Sequence, residues 1–431
     1  MGNGQEWGGC SLFSFLPPAS CLLPLPTDSD PVYFRSVHYH DPVTPIHRET
    51  WDAIVIGSGP AGSATALLLA RGGASVLLVE KAPFPREKVC GCCVNQAAAA
   101  MLASLGLGDL LPSLCARQVD RFRLHTAGRR STLALPGGFA VSRGALDQAL
   151  VNEAVKAGVV FFDSTSAQLR PLAHSNEREV VVMRDGVAQT LRARLVVACT
   201  GLAGRVLDDE PGMNITIARH SLMGCAAIAE HFPQAYEPGI IHMAHGRAGY
   251  VGLVRLEDHR LDIAAALKPQ VVQKLGGPGA AVESLLRENE LPSVEVEQAL
   301  EWRGTPLLTR QRSSVASDRL FVVGDAAGYV EPFTGEGIAW ALASASAVAP
   351  LALRAIQAWT PTLIAQWNRE HRRQLGARQR RCRWLTRAIR APWVAGLVNR
   401  LLSALPLVGR PFVAAINRPW RLAGSEPGVA S

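Results

Sequence analysis

The stretch DAIVIGSGPAGSATALLLARGGASVLLVEK, residues 52–81, decides the fold. Ala53–Ile56 is a short apolar run of the kind that fills a buried parallel strand. Ala61–Arg71 is rich in Ala and Leu and predicts a helix, stopped by Gly72 and Gly73. Ser75–Val79 is a second apolar strand, closed by Glu80. Between the first strand and the helix, Gly57, Gly59 and Gly62 form G-x-G-x-x-G. In this pattern the first glycine permits a tight turn, the second admits a pyrophosphate against the backbone, and the third lets helix and strand pack closely. Free N–H groups at the helix start favour the phosphate charge, and the Glu80 carboxylate can accept hydrogen bonds from ribose hydroxyls. A glycine triplet alone reads equally well as a structural turn. Here strand, helix, second strand and acid stand in register, and the segment reads as a dinucleotide site. An acid at this point favours an unphosphorylated ribose, hence FAD or NAD rather than NADP.

A second stretch, DRLFVVGDAAGYVEPFTGEGIAWALASA (318–345), separates these two cofactors. Leu320–Val323 is a short strand, Gly324 and Asp325 follow it, and Gly335 and Gly337 open a helix over Gly337–Val348. An acid at a strand end can hold a sugar-alcohol hydroxyl, and a glycine-rich helix start can aim N–H groups at a developing anion. A nicotinamide enzyme needs no such second element, whereas a flavin needs both an acceptor for its ribityl chain and donors for its reduced ring.

Four stretches, GSGPAG, PFPREKVCG, SRGALDQAL and GDAAGYVEPFTGEGI, together resemble FAD-dependent oxidoreductases of the geranylgeranyl reductase and aromatic-hydroxylase superfamily, over residues 51–385. The resemblance implies that Gly57, Gly59, Gly62 and Glu80 hold the ADP half of FAD and that Arg143 reaches the pyrophosphate. It further implies that Gly324–Asp325 meets the ribityl chain and that Gly335 and Gly337 flank the flavin ring. Two places depart from the family pattern. Cys199–Thr200–Gly201 stands where many relatives have Ala-Asp-Gly, and YVGLV, from Tyr250, lacks the Trp and Pro of the Tyr-x-Trp-x-Phe-Pro stretch of prenyl reductases.

KVCGCCVN (88–95) carries three cysteines. A zinc site would need a second ligand pair, and no metal site is expected. Cys90 and Cys93 have the spacing of a redox dithiol, although Cys92 intrudes and no thioredoxin-like strand leads into them. The resemblance favours a third reading, in which Lys88, Cys90 and Gly91 form a loop past the flavin ring and Cys90 faces the substrate, shaping the pocket or delivering a proton. His242 and Tyr250 flank expected strands and are candidates for the substrate pocket, although a lone His there is more often structural.

The rest of the chain bounds these readings. It has 431 residues, 48% of them apolar, a formal charge of +8 and a pI near 9.2, enough for a sizeable core and unlike a disordered chain. Nine cysteines without a repeated spacing argue for reduced thiols and a cytoplasmic protein. No apolar run reaches about 18 residues, so no transmembrane helix is expected. Residues 1–50, with Pro17, Pro18, Pro24 and Pro26 breaking an apolar stretch, read as an extension without order.

VDRFRLHTAGRRSTLAL (119–135) alternates around Ala127–Gly128 and predicts a hairpin, SRGALDQALVNEAVKAG predicts a helix, and strands are expected at Val180–Val182 and Leu191–Val197. MGCAAIAEHF, GYVGLVRLE and RLDIAAAL read as further strands, and AAVESLLREN as a helix. The expected architecture is α/β: a Rossmann-like FAD-binding parallel sheet (51–118, 137–205 and 305–350), an inserted, mostly antiparallel substrate-binding sheet (119–136 and 206–304), and a basic helical C-terminal region (351–431).

In that last region Arg380, Arg381, Arg383, Arg387 and Arg390 share one helix face and Trp384, Leu385 and Ile389 another, which suits peripheral contact with an anionic membrane as well as packing on the protein. No element for reading nucleic acid is present. The function expected is FAD-dependent reduction or hydroxylation of a small hydrophobic molecule, isoprenoid, lipid-like or aromatic, with NAD(P)H as a transient donor. The alternatives are an aromatic-ring monooxygenase using NAD(P)H and O2 and, from another class, a non-catalytic flavin-binding partner in a biosynthetic complex.

Overall fold

The computed structural model describes residues 46–171, 176–294, 300–331, 333 and 335–420. The extension expected over residues 1–50 lies outside them as far as residue 45. The strand Thr50–Ile56 runs parallel to Val76–Val79 on one side and to Val187–Ala198 on the other. Val160–Phe162 and Leu320–Val322 continue the parallel order at the two flanks. With the antiparallel Arg178–Arg184, Thr165–Leu169 and Ala316–Ser317 the sheet has eight strands. Its inner strands are covered on both faces: Ala53, Ile54, Val55, Leu77, Leu78, Val196 and Val197 are wholly buried. That double burial is why the sequence there is continuously apolar rather than alternating.

The helix Pro60–Arg71 links the first two strands, with Pro60 in its first turn, where a missing N–H costs nothing. The helices Arg143–Lys156 and Gly337–Gln357 pack against it. The last of these passes through Pro350 and ends nine residues beyond the expected Val348 (357 − 348). By length and composition it is long and apolar enough to cross a membrane, but 67% of the apolar window is buried inside the protein. It is the central core helix.

The second sheet has seven strands, in the order Arg303–Leu307, Met223–Ala229, Leu261–Leu267, Gly249–Arg255, Ile240–His245, Arg121–Thr126 and Arg129–Ala134. The early hairpin turns at Ala127 and Gly128, both with positive φ (51° and 71°), the backbone a two-residue hairpin turn requires. The strand Ile240–His245 was not expected. It runs parallel to Arg121–Thr126 and joins the early hairpin to the inserted region in one sheet. The helix Pro278–Glu288 covers the face of this sheet turned away from the nucleotide half, burying Ala281, Val282, Leu285 and Leu286.

Four further helices end the described chain: Thr362–Gln374, Gly376–Ile389, Pro392–Ala404 and Arg410–Ile416. Trp367 is fully buried, and its indole N–H donates to the Val322 carbonyl at 3.1 Å, tying the first of these helices to the parallel sheet. Pro392–Ala404 instead lies on the strand Arg129–Ala134, where the Asn399 amide donates to the Arg129 carbonyl and the Ser403 hydroxyl to that of Arg130. Between them, Trp384 stands 71% exposed.

Candidate functional site

A cavity of about 1930 Å³ runs between the two sheets. Of the residues singled out from sequence, Gly57, Gly59, Glu80, Cys90, Arg143, Tyr250, Asp325, Gly335 and Gly337 line it. Gly62 and Gly324 do not line it but set the backbone behind it. A Cβ on Gly62 would lie 1.8 Å from the Gly57 carbonyl oxygen, and one on Gly57 (φ +100°) would lie 2.4 Å from that of Cys199. Glycine is therefore required at both positions, and Cys199–Thr200–Gly201 closes on the turn although it lacks the usual acid. A Cβ on Gly324 would lie 2.7 Å from that of Ala61, so the downstream stretch docks directly onto the first helix.

Arg143 lies over this turn: its guanidinium is 3.6 Å from where a Gly59 Cβ would be. A ladder of buried charges holds it there. Arg143 donates twice to Asp147, at 3.0 and 2.7 Å. Asp147 also accepts from Arg86 at 2.7 Å, and Arg86 reaches Glu80 at 3.0 Å. Glu80 further accepts from the Ser58 backbone N–H and hydroxyl, both at 3.2 Å. Burial raises the Glu80 pKa, but Arg86, Lys88 and these hydrogen bonds outweigh it and hold the carboxyl below its usual range. Ser142 caps the helix of Arg143 and is itself gripped by Glu257, which accepts from its N–H at 2.8 Å and its hydroxyl at 2.7 Å. Arg86, Asp147 and Glu257 were not singled out from sequence, although the first two lie inside motifs that were.

Asp325 differs from these paired acids. Its carboxylate makes no hydrogen bond among the described residues and faces the cavity, and burial pushes its pKa up to about 6. Lys88 also points inward, with Nζ 3.9 Å from the site of a Gly201 Cβ.

The three cysteines separate. Cys90 lines the cavity, and its thiol is influenced by Cys92 rather than by Cys93 with its C-x-x-C spacing. The Cys92 contact and the Arg143 guanidinium outweigh burial and bring the Cys90 pKa down to about 6. Cys92 turns away from the cavity with a positive φ (48°) and lies buried within the electrostatic reach of Asp262 in the second sheet. Burial pushes the Asp262 carboxyl well above its usual range. Cys93 begins the strand Cys93–Asn95, and burial pushes its thiol up.

The far half of the cavity is apolar, bounded by the small residues Gly252, Ala264 and Ala266 and by the larger Met243, Tyr250 and Phe333. Tyr250 meets Phe333 edge-on at 5.1 Å. His242, expected here, lies on the opposite face. Strand alternation sends Ile241 and Met243 into the cavity and His242 behind the sheet, stacked on His125 at 5.7 Å and edge-on to Tyr236 at 5.5 Å.

The residues present fit FAD. A glycine turn open to phosphate, a guanidinium above it, an unpartnered acid beyond it and an apolar chamber follow one another along a single cavity. The family described as FAD binding domain matches residues 50–375, and the chain belongs to it: the protein is an FAD-dependent oxidoreductase. The menaquinone reductase of Mycobacterium tuberculosis is 27% identical over 334 residues, covering 70% of this chain and 76% of that one. Digeranylgeranylglycerophospholipid reductase 1 of Methanopyrus kandleri is 27% identical over 332 residues, covering 71% and 81%. Among solved structures, the p-nitrophenol 4-monooxygenase of Pseudomonas putida shares the fold, with a TM-score of 0.70 at 16% identity over 86% of this chain and 100% of the other.

Proposed function

We propose that this protein reduces a carbon–carbon double bond in a long hydrophobic substrate of the isoprenoid type. The observation that carries the reading is the continuity of the cavity, from the glycine turn past Cys90 into a chamber whose walls offer apolar contact and few polar anchors. The reductase names of the two sequence relatives support it. Bound FAD supplies a hydride equivalent, with NADH or NADPH as a transient donor. The chain supplies the rest. Gly57, Gly59 and Gly62 admit the pyrophosphate, Arg143 neutralises it, and Glu80 takes the adenosine ribose. Asp325 accepts from the ribityl chain, and Gly335 and Gly337 leave room for the ring. Cys90 is placed to hand a proton to the substrate, as the acid form of a thiol whose pKa of about 6 keeps a fraction of it protonated near neutrality, and Cys92 and the Asp262 carboxyl lie buried behind it. Tyr250 shapes the chamber beside Phe333.

The test is anaerobic. Holoenzyme reduced with NADPH is mixed with menaquinone or geranylgeranyl diphosphate, and the product is weighed. Gain of two hydrogens supports the proposal; oxygen uptake coupled to a hydroxylated product, with no hydrogenation under nitrogen, overturns it. Cys90→Ala is expected to keep its FAD and lose turnover by about a hundredfold or more.

A further inference from the structure

The helices Pro392–Ala404 and Arg410–Ile416 present an unusual surface. Trp393, Leu397, Leu401 and Leu405 follow one another at four-residue spacing and stand 74%, 59%, 45% and 56% exposed. Leu407, Val408 and Phe412 just beyond the stripe in sequence, and Trp384 on the preceding helix, are exposed as well. The opposite face of the same helix is used differently: Leu402 packs with Leu133 and Val413, and Asn399 is bonded to the strand beneath. The apolar stripe is therefore not a misplaced core. Patches of this extent on a soluble surface mark a partner or a membrane.

The charge indicates which. From His371 to Ser425 the sequence contains no Asp or Glu. Arg380, Arg381, Arg387, Arg400, Arg410 and Arg418 are exposed and make no ion pair among the described residues. Large apolar side chains interleaved with unpaired arginines complement an anionic bilayer, where the rings and aliphatic chains enter the headgroup boundary and the guanidinium groups meet phosphate. Phe412, Val413 and Ile416, from the last helix of this patch, also line the cavity, beside Leu133 of the second sheet and Leu135 just after it. The docking surface and the cavity mouth are the same piece of protein.

We propose that these helices seat the protein on an anionic membrane and that the hydrophobic substrate passes from the bilayer, between Arg410–Ile416 and the strand Arg129–Ala134, straight into the flavin cavity. The inference rests on the reading of a long hydrophobic substrate, but its test measures binding and transfer rather than turnover, so the hydrogenation chemistry stands or falls separately.

Full-length holoenzyme is sedimented with vesicles of phosphatidylcholine alone or with added phosphatidylglycerol. Binding to the anionic vesicles alone, lost in high salt, is expected. Each exposed arginine removed weakens partitioning roughly fivefold. Trp393→Glu with Leu397→Glu, both at exposed positions, is expected to weaken it about a hundredfold. Holoenzyme that stays in the supernatant with both vesicle types overturns the proposal, as does a double variant that binds like the parent. A stable dimer that the double variant dissociates also overturns it, since a second copy would then cover the patch.

The portal is read with cis-parinaric acid dissolved in the same vesicles, its emission quenched by bound FAD on entering the cavity. Ile416→Trp is expected to leave vesicle binding intact and slow transfer at least tenfold; unchanged transfer refutes the portal. Should that variant lose its FAD, Phe412→Trp, further out, tests the same opening.

Discussion

The nucleotide end of the cavity and the substrate sheet handle buried polarity in opposite ways. At the nucleotide end the buried charges of Glu80, Arg86, Asp147 and Arg143 are matched in a ladder, and the unmatched ones, Asp325 and Lys88, face the opening. In the substrate sheet, His125 Nε2 and both ring nitrogens of His242 on its back, and Thr126 Oγ1 and Ser131 Oγ on the face of Phe122 and Leu133, are buried without a hydrogen bond among the described residues. One end is built to hold a fixed charged group in one pose. The other surrounds a chamber with side chains that specify volume more than direction, which suits a substrate recognised by its bulk.

The largest effect expected from breaking this contrast is at Asp147. Removing it as Asp147→Ala leaves two buried guanidinium groups short of a counter-charge, and losing one partner of a buried ion pair costs about 3–5 kcal/mol. Urea unfolding should show that loss together with release of FAD; a loss under about 1 kcal/mol would mean that water already screens the ladder.

Acid probes the other end. Burial brings His242 down to about 3 and His125 and His245 to about 4 in the substrate sheet, and His371, beside Trp367 on the helix that docks on the parallel sheet, to about 4, each below the ordinary value near 6.5. Between those values the unfolded chain binds more protons, so stability is fully present above about pH 6.5 and falls as the pH drops toward 4, by up to about 2–3 kcal/mol per ring. Urea midpoints at pH 7 and 4.5 measure this, and His242→Phe should flatten the dependence.

Asp325 sharpens the contrast, because it is a site residue that destabilises its own fold. Its folded pKa of about 6 lies above the unfolded value of about 3.9. The empty apoprotein therefore loses stability as pH rises through that window, on the order of 1–3 kcal/mol. Asp325→Asn should raise the apoprotein's melting temperature at pH 7.5 while weakening FAD binding about tenfold or more. A variant that lowered both would sink this reading.

The smallest effect is kinetic. Iodoacetamide should alkylate Cys90 with a midpoint near pH 6, and Cys92→Ala should move that midpoint upward. A midpoint near 8.5, as for an ordinary thiol, would remove Cys92 and Arg143 from the account.

What was legible in the sequence follows from the same contrast. The glycine turn, Glu80, the hairpin at Ala127–Gly128 and the docking of Gly324–Asp325 are local patterns in which few residue types satisfy the backbone. Partners that meet across long separations left no comparable mark. Asp147 lies 61 positions from Arg86, and Glu257 lies 115 from Ser142. His242 was misplaced for a related reason. Ile240–His245 was not recognised as a strand, so the alternation that turns the imidazole away from the chamber could not be applied.

The parallel sheet draws on strands at Thr50–Ile56, Val187–Ala198 and Leu320–Val322, and Trp367 pins the last of them. During synthesis the ribosome releases the chain from its N-terminus, so the glycine turn emerges early yet waits for some three hundred more residues before its crevice has a second wall. Nascent chains arrested short of Trp367 should therefore be unable to capture the cofactor, and until that point the sheet edge beside Val187–Ala198 stays open.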